Sequence, residues 1–356
     1  PNTAAISPDG KTVAWTVNGA HGSELHLTAL AAAGSASDRV LSPDTAGDAP
    51  NSEPGMCNAS HPTWSPDGKQ LAFLSDCSGS EGNWQSGSQN NIFVWTLAGN
   101  GMKQVSHLHG MASSIEWSPD GKSIGFLYVE HATRRAGALD AMKPWNGVIG
   151  EDGVEIQRVY AVDIATGRVN WISADSKLHV YEFSWSPDSQ QITYVAAAPP
   201  GENNWWVARL YIQHVGMIAA CEEPQDSSLC KEDGPPNGIP QAILNPQTTL
   251  GPLHGLQIAV PRFSPAGKQI AFIGGLMSDQ GSIGGDVYLI PTAGGEPRDI
   301  TPNRPASPAW IAWRDDGSLD VSEHLGGGSR FTAINLKTGK DEPAINLTLP
   351  ETIVAG

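Results

Sequence analysis

The side chains best suited to hold another molecule lie in one charged stretch, Glu130 to Gln157, which contains Arg134, Arg135, Glu151, Asp152 and Glu155. A fixed carboxylate pairs with an ammonium group, and a guanidinium offers planar, paired donors to a carbonyl or carboxylate. The competing reading is a solvated surface loop, because exposed charges contribute little. A second candidate is Trp205-Trp206, just after Pro199-Pro200-Gly201. These rings suit contact with a peptide or protein, against local packing. His107 and His109 would share one face of a strand, and His61 precedes a first strand, which is the cluster a metal-dependent lyase would need. No carboxylate or third histidine completes such a site locally, and hydrogen-bonding at strand ends is the expectation. No phosphate loop, dinucleotide fingerprint or EF-hand phrase occurs, and neither a metal nor an organic cofactor is expected.

These residues need a scaffold, and a recurring phrase supplies it. Ile6-Ser7-Pro8-Asp9-Gly10-Lys11 returns as Trp64 to Lys69, Trp117 to Lys122 and Trp185-Ser186-Pro187-Asp188-Ser189. Weaker copies follow at Phe263-Ser264-Pro265-Ala266-Gly267-Lys268 and Trp313-Arg314-Asp315-Asp316-Gly317. Pro, Asp and Gly suit the second, third and fourth positions of a type I turn, so each phrase reads as the reversal of a β-hairpin. Its aspartates, Asp9, Asp67, Asp120 and Asp188, sit in separate repeats and are assigned to turn chemistry, not catalysis.

An apolar or alternating run follows each turn, as in Gln70 to Ser75 and Gln269 to Gly274, and a third run follows at Asn91 to Leu97 and Asp286 to Pro291. Glycine-bearing turns such as Ala165-Thr166-Gly167 lead to short fourth strands such as Arg168 to Ile172. Four antiparallel strands, repeated radially, make a propeller blade. The expectation is therefore an all-β fold: one β-propeller domain over 1–356 with six recognisable blades, seven being possible. The blades fall near 1–50, 58–106, 112–174, 180–250, 258–302 and 306–348. The recurring tryptophans are expected to pack between blades.

Cys57 and Cys77 lie equidistant from Asp67, and Cys221 and Cys230 bracket a short loop, so two local disulfides and an oxidising compartment are expected. The composition agrees with a turn-rich β protein: 40 Gly, 27 Pro and only 16% charged residues in 356. A net charge of −16 disfavours nucleic acid and anionic membrane surfaces as partners. No run approaches the ~20 apolar residues that span a bilayer.

Repeated Trp-Ser-Pro-Asp-Gly followed by Gln70-Leu71-Ala72-Phe73-Leu74-Ser75 resembles two groups. One is the TolB-type periplasmic propellers; the other is the propeller of prolyl oligopeptidase-type serine peptidases, dipeptidyl and acylaminoacyl peptidases included. The stretch Gly147 to Asp163 is similar to bacterial members of the second. That resemblance implies a periplasmic or secreted propeller that gates peptides for an α/β-hydrolase domain carried elsewhere. It further implies that Glu151 or Glu155, with Arg134 or Arg135, meets the substrate's amine and carbonyl. The hydrolase's own G-x-S-x-G elbow is absent here, Ser78-Gly79-Ser80-Glu81-Gly82 lacking the first Gly. No catalytic residue is therefore assigned. A TolB-like interaction scaffold is the alternative.

Overall fold

A computed structural model describes residues 3–19, 22–30, 38–41, 58–76, 89–98, 101–132, 155–173, 177–198, 201–215, 238–275, 277–278, 281–282 and 284–342. The elements are almost entirely β, arranged as six four-stranded antiparallel sheets, the blades of a β-propeller. Sheet 1 comprises Ala4–Ile6, Thr12–Gly19, Gly22–Ala29 and Asp38–Leu41; sheet 2, Ala59–Trp64, Gln70–Ser75, Asn91–Thr96 and Gly101–Gln104. Sheet 3 comprises Gly110–Trp117, Ser123–Glu130, Arg158–Asp163 and Val169–Trp171; sheet 4, His179–Trp185, Gln191–Ala197, Arg209–His214 and Gln241–Leu244. Sheet 5 comprises Gln257–Phe263, Gln269–Gly275, Asp286–Pro291 and Arg298–Asp299; sheet 6, Ser307–Asp315, Ser318–Leu325, Gly328–Asn335 and Lys340–Glu342. The chain divides into two compact units, the first three sheets falling in one and the last three in the other.

Each recurring phrase folds as its chemistry requires. In sheet 2, Gly68 N donates to Ser65 O at 2.8 Å and closes the turn. Ser65 Oγ donates to Asp67 Oδ1 at 2.7 Å, Lys69 N donates to the same oxygen at 3.0 Å, and Gln70 N donates to Ser65 Oγ at 2.9 Å. Sheets 1, 3 and 4 repeat the set around Asp9, Asp120 and Asp188. Gly68 adopts φ +68°, open to glycine at little cost, and the place of its missing Cβ lies 3.5 Å from Pro8 of the preceding turn. Successive turns are thus stacked.

Second and third strands are central in their sheets and buried on both faces, so their residues alternate between two cores rather than between core and water. Leu71 and Phe73, with Trp64 of their own sheet, pack toward Leu25 and Leu41 of sheet 1. Their neighbours Ala72 and Leu74 pack toward sheet 3, with Trp117, Ile124 and Phe126. In the other unit Ile270 and Phe272 join Tyr181, Val195 and Leu210 of sheet 4, while Ala271 and Ile273 join Ile311 and Val321 of sheet 6. No single sheet holds a core of its own, which is why neighbouring repeats stabilise one another.

The tryptophans of the phrase fasten sheets together. Trp64 Nε1 donates to Ala5 O at 3.0 Å, Trp117 Nε1 to Thr63 O at 3.1 Å, and Trp313 Nε1 to Arg262 O at 3.0 Å. Each indole reaches the same place in the preceding sheet: the carbonyl of the residue just before that sheet's own copy of the phrase, which opens at Ile6, Trp64 or Phe263.

Candidate functional site

That shared register separates what the repeat needs from what it tolerates. The residue before the first of each phrase (Ile6, Trp64, Trp117, Trp185, Phe263 or Trp313) is Ala5, Thr63, Glu116, Ser184, Arg262 or Ala312, and the residue three before it is Thr3, His61, Ser114, Glu182, Val260 or Trp310. Between them Pro62, Ile115, Phe183, Pro261 and Ile311 are buried, whereas the flanking positions are half-buried or exposed, Ser184 excepted. The first strand is the edge of every sheet, so these two positions line an open edge. Each first strand of sheets 2 to 6 is also bulged there. His61, Ser114 and Val260 take the left-handed conformation at φ 53°, 49° and 54°. Bulges redirect side chains and spoil an edge for pairing with another strand.

In the second unit this edge carries two charges on adjoining strands. Val260 N donates to Glu182 Oε2 at 2.5 Å, tying sheet 5 to sheet 4. Burial pushes the Glu182 carboxyl up from its ordinary range, while the Val260 amide and the Arg262 charge oppose that shift. Arg262 Nη1 donates to Pro261 O at 2.9 Å, and its own carbonyl accepts the Trp313 indole. Neither Glu182 nor Arg262 belongs to the residues that stand out by type or spacing in the sequence. The available signal was their offset from the aromatic of each repeat.

Arg134, Arg135, Glu151 and all four cysteines lie outside the described residues. Glu155 is half-buried, at the start of a segment that runs beside the first strand of sheet 4. There Gln157 Nε2 donates to Val180 O at 2.8 Å, Val180 N donates to Gln157 O at 2.9 Å, and Gln157 N donates to His179 Nδ1 at 3.3 Å. Two residues along, Tyr181 stacks on Trp205, with centroids 5.9 Å apart. Gln157 and Trp205 therefore meet adjoining residues, Val180 and Tyr181, of the same first strand. Trp205 is spent on packing, since its Nε1 donates to Ile258 O at 3.2 Å; Trp206 is 58% exposed. The pair lies in a 3-10 helix, Gly201–Val207, rather than an irregular loop.

His107 and His109 are corrected from a shared strand face. They lie in the connection between Gly101–Gln104 and Gly110–Trp117, where Gln104 Nε2 approaches His107 Nδ1 at 3.3 Å. In that connection Val105 N donates to Ile92 O at 2.9 Å, Leu108 N to Asn91 Oδ1 at 2.7 Å and His109 N to Tyr128 Oη at 2.8 Å. Among the described residues no three His, Cys, Asp or Glu side chains are grouped to hold a metal ion. A cavity of about 370 Å³ between the first two turns is lined by Ser7, Asp9, Trp64 and Asp67, whose carboxylates are already engaged in their own turns. Beside the cysteines, Asn58 and Asp76 face one another: Asn58 Nδ2 donates to Asp76 Oδ2 at 2.9 Å.

No family model matches the sequence. Dipeptidyl-peptidase 5 of Porphyromonas gingivalis is 25% identical over 159 residues, which are 44% of this chain and 20% of that protein. The chain thus spans about a fifth of the length of the curated relative it matches. A puromycin hydrolase variant superposes with TM-score 0.61 at 13% identity, over 96% of this chain and 44% of the other. The β-propeller domain of the Pyrococcus furiosus trilobed protease superposes with TM-score 0.53 at 14% identity, over 96% and 82%. The resemblance is to the propeller of a prolyl oligopeptidase-type peptidase. The fold itself extends to other chemistry, as an oligogalacturonate lyase from Vibrio parahaemolyticus superposes with TM-score 0.57 at 11% identity.

Proposed function

We propose that this chain is the non-catalytic propeller of a secreted or periplasmic prolyl oligopeptidase-type serine peptidase, admitting and selecting peptides for an α/β-hydrolase domain. The observation that carries this reading is the sequence match to a dipeptidyl-peptidase, because the fold is shared with a lyase and does not by itself select a chemistry. The missing G-x-S-x-G elbow agrees with a division of labour in which cleavage belongs to another domain. Arg134, Arg135, Glu151 and Glu155 are the charged contacts for peptide ends, and Trp206 is the exposed aromatic contact. Cys57–Cys77 and Cys221–Cys230 are the disulfides of an oxidising compartment. The facing pair Asn58 and Asp76 supports the first of these, since each adjoins one cysteine.

The test is the intact mass of the natively produced protein, with hydrolysis of chromogenic dipeptide and acyl-amino-acid substrates by the same material. A mass well above 37.5 kDa with serine-reagent-sensitive cleavage is expected. A mass near 37.5 kDa without hydrolysis would overturn the reading and leave an interaction scaffold of the TolB type.

A further inference from the structure

The six repeats act as internal controls on one another. At the position before the phrase, Ala5, Thr63, Ser184 and Ala312 show that the fold requires no charge there, yet sheet 3 carries Glu116 and sheet 5 alone places a cation, Arg262, at it. Its carbonyl, not its side chain, receives the indole of the next sheet, so the structural duty of this position is discharged by the backbone.

The guanidinium also keeps most of its donors unused. Among the other half-buried arginines described, Arg304 and Arg330 are ion-paired and Arg158 lies over the Trp171 ring, 5.6 Å from its centroid. Among the described residues no carboxylate oxygen lies within 4.0 Å of the Arg262 guanidinium, and its one side-chain hydrogen bond to them is to the neighbouring Pro261 carbonyl. Four of its five N–H donors remain. Its charge acts on the Glu182 carboxyl without forming an ion pair, and a half-buried guanidinium with unused donors is costly, so such a residue is retained where it has another use.

The backbone beneath it is held on three sides: by the Glu182 carboxylate on Val260 N, by the Trp313 indole on its own carbonyl, and by its pairing with Ala271 in the sheet. Support of that kind fixes the aim of a side chain. Trp310, at the bulge of the adjoining first strand, adds a half-buried ring to the same unit's open edge.

We propose that Arg262 anchors a carboxylate of a bound peptide at the open edge of the first strands of sheets 4 to 6. This rests on the peptide-selecting reading above and narrows it to peptides that present a carboxylate. The carboxylate is either the C-terminus or an acidic side chain, both of which match the planar guanidinium fork. In a chain of net charge −16 an anionic group needs such a localised cation to approach.

Calorimetric titration of the intact protein tests this with three probes: tetra-alanine with a free carboxylate, its C-terminal amide, and the amide carrying one glutamate. Wild type is expected to bind the first or the third and not the plain amide, with Arg262→Gln weakening that binding about tenfold or more. Arg262→Lys, which keeps the charge without the fork, is expected to fall between them and decides the matter if the Gln variant does not fold. Binding of the free acid alone assigns the C-terminus; binding of the glutamate amide assigns an acidic side chain. Equal binding by wild type and variants would overturn the Arg262 assignment and leave the peptide reading intact. Failure of wild type to bind any probe would overturn both.

Discussion

Asp316 Oδ1 accepts the Ala266 amide hydrogen at 2.9 Å, although the two residues belong to different sheets. Ala266 stands where the other well-formed turns carry an aspartate, and the fifth turn lacks that carboxylate. The sixth turn supplies one from outside. Asp316→Ala is expected to destabilise the protein by about 1 kcal/mol, the worth of one such hydrogen bond. Ala266→Asp, which gives Ser264 its own local acceptor, is expected to recover part of that loss in the double variant. Urea unfolding of the four proteins measures both.

The indole bonds between sheets are separable from the burial of the same rings. Trp64→Phe and Trp117→Phe keep an aromatic in the core but leave the Ala5 and Thr63 carbonyls without their donors. Each is expected to cost about 1–2 kcal/mol, whereas the alanine variants should cost about 3–5 kcal/mol from the cavity left behind. Near-equal losses for Phe and Ala would show that the hydrogen bond, not the ring, holds adjacent sheets.

Glu323 is fully buried in sheet 6 and is held by both Arg304 and Arg330, while Arg304 Nη1 also donates to Asp341 at 2.7 Å. Removing one guanidinium strands part of a buried carboxylate charge. Arg304→Ala is expected to destabilise by about 3 kcal/mol, and adding Glu323→Gln should restore much of it, because the uncompensated charge is then gone. Thermal unfolding of the single and double variants checks this.

Acid is expected to destabilise the protein in two windows with distinct causes. Burial holds the His179 pKa down to about 4, below the 6.5 of an exposed imidazole. Between those values the unfolded chain takes up a proton that the folded chain refuses, so stability falls as pH drops from about 6.5 to about 4. His179→Phe should flatten that slope. The backbone amide of Lys69, with the Ser65 hydroxyl, lowers the Asp67 carboxyl from 3.8 to about 2, so its contribution is present above 3.8 and is lost on acidification toward 2. Asp67→Asn should lessen this second fall, read from unfolding midpoints across pH.

The hairpin turns and the strands that follow them were legible from the residues because their causes are local. A Ser-Pro-Asp-Gly turn is closed by its own atoms, and an apolar run of six residues beside it has one economical fate. The packing role of Trp64 and Trp117 was likewise readable, since only a repeated environment explains a repeated aromatic. The candidate edge site was not legible, and the reason lies in the bulges. Alternation alone would send residues one and three before the aromatic to a face whose exposure depends on what lies beside it. The tertiary structure decides that an adjoining first strand brings Glu182 to the Val260 amide and leaves Arg262 half-buried with no ion pair among the described residues. It also decides that Trp205, which the sequence leaves open between contact and packing, is used against Tyr181 and Ile258. Local turn chemistry specifies a blade, but the charge that a blade leaves unpaired is set only when the next blade is laid against it.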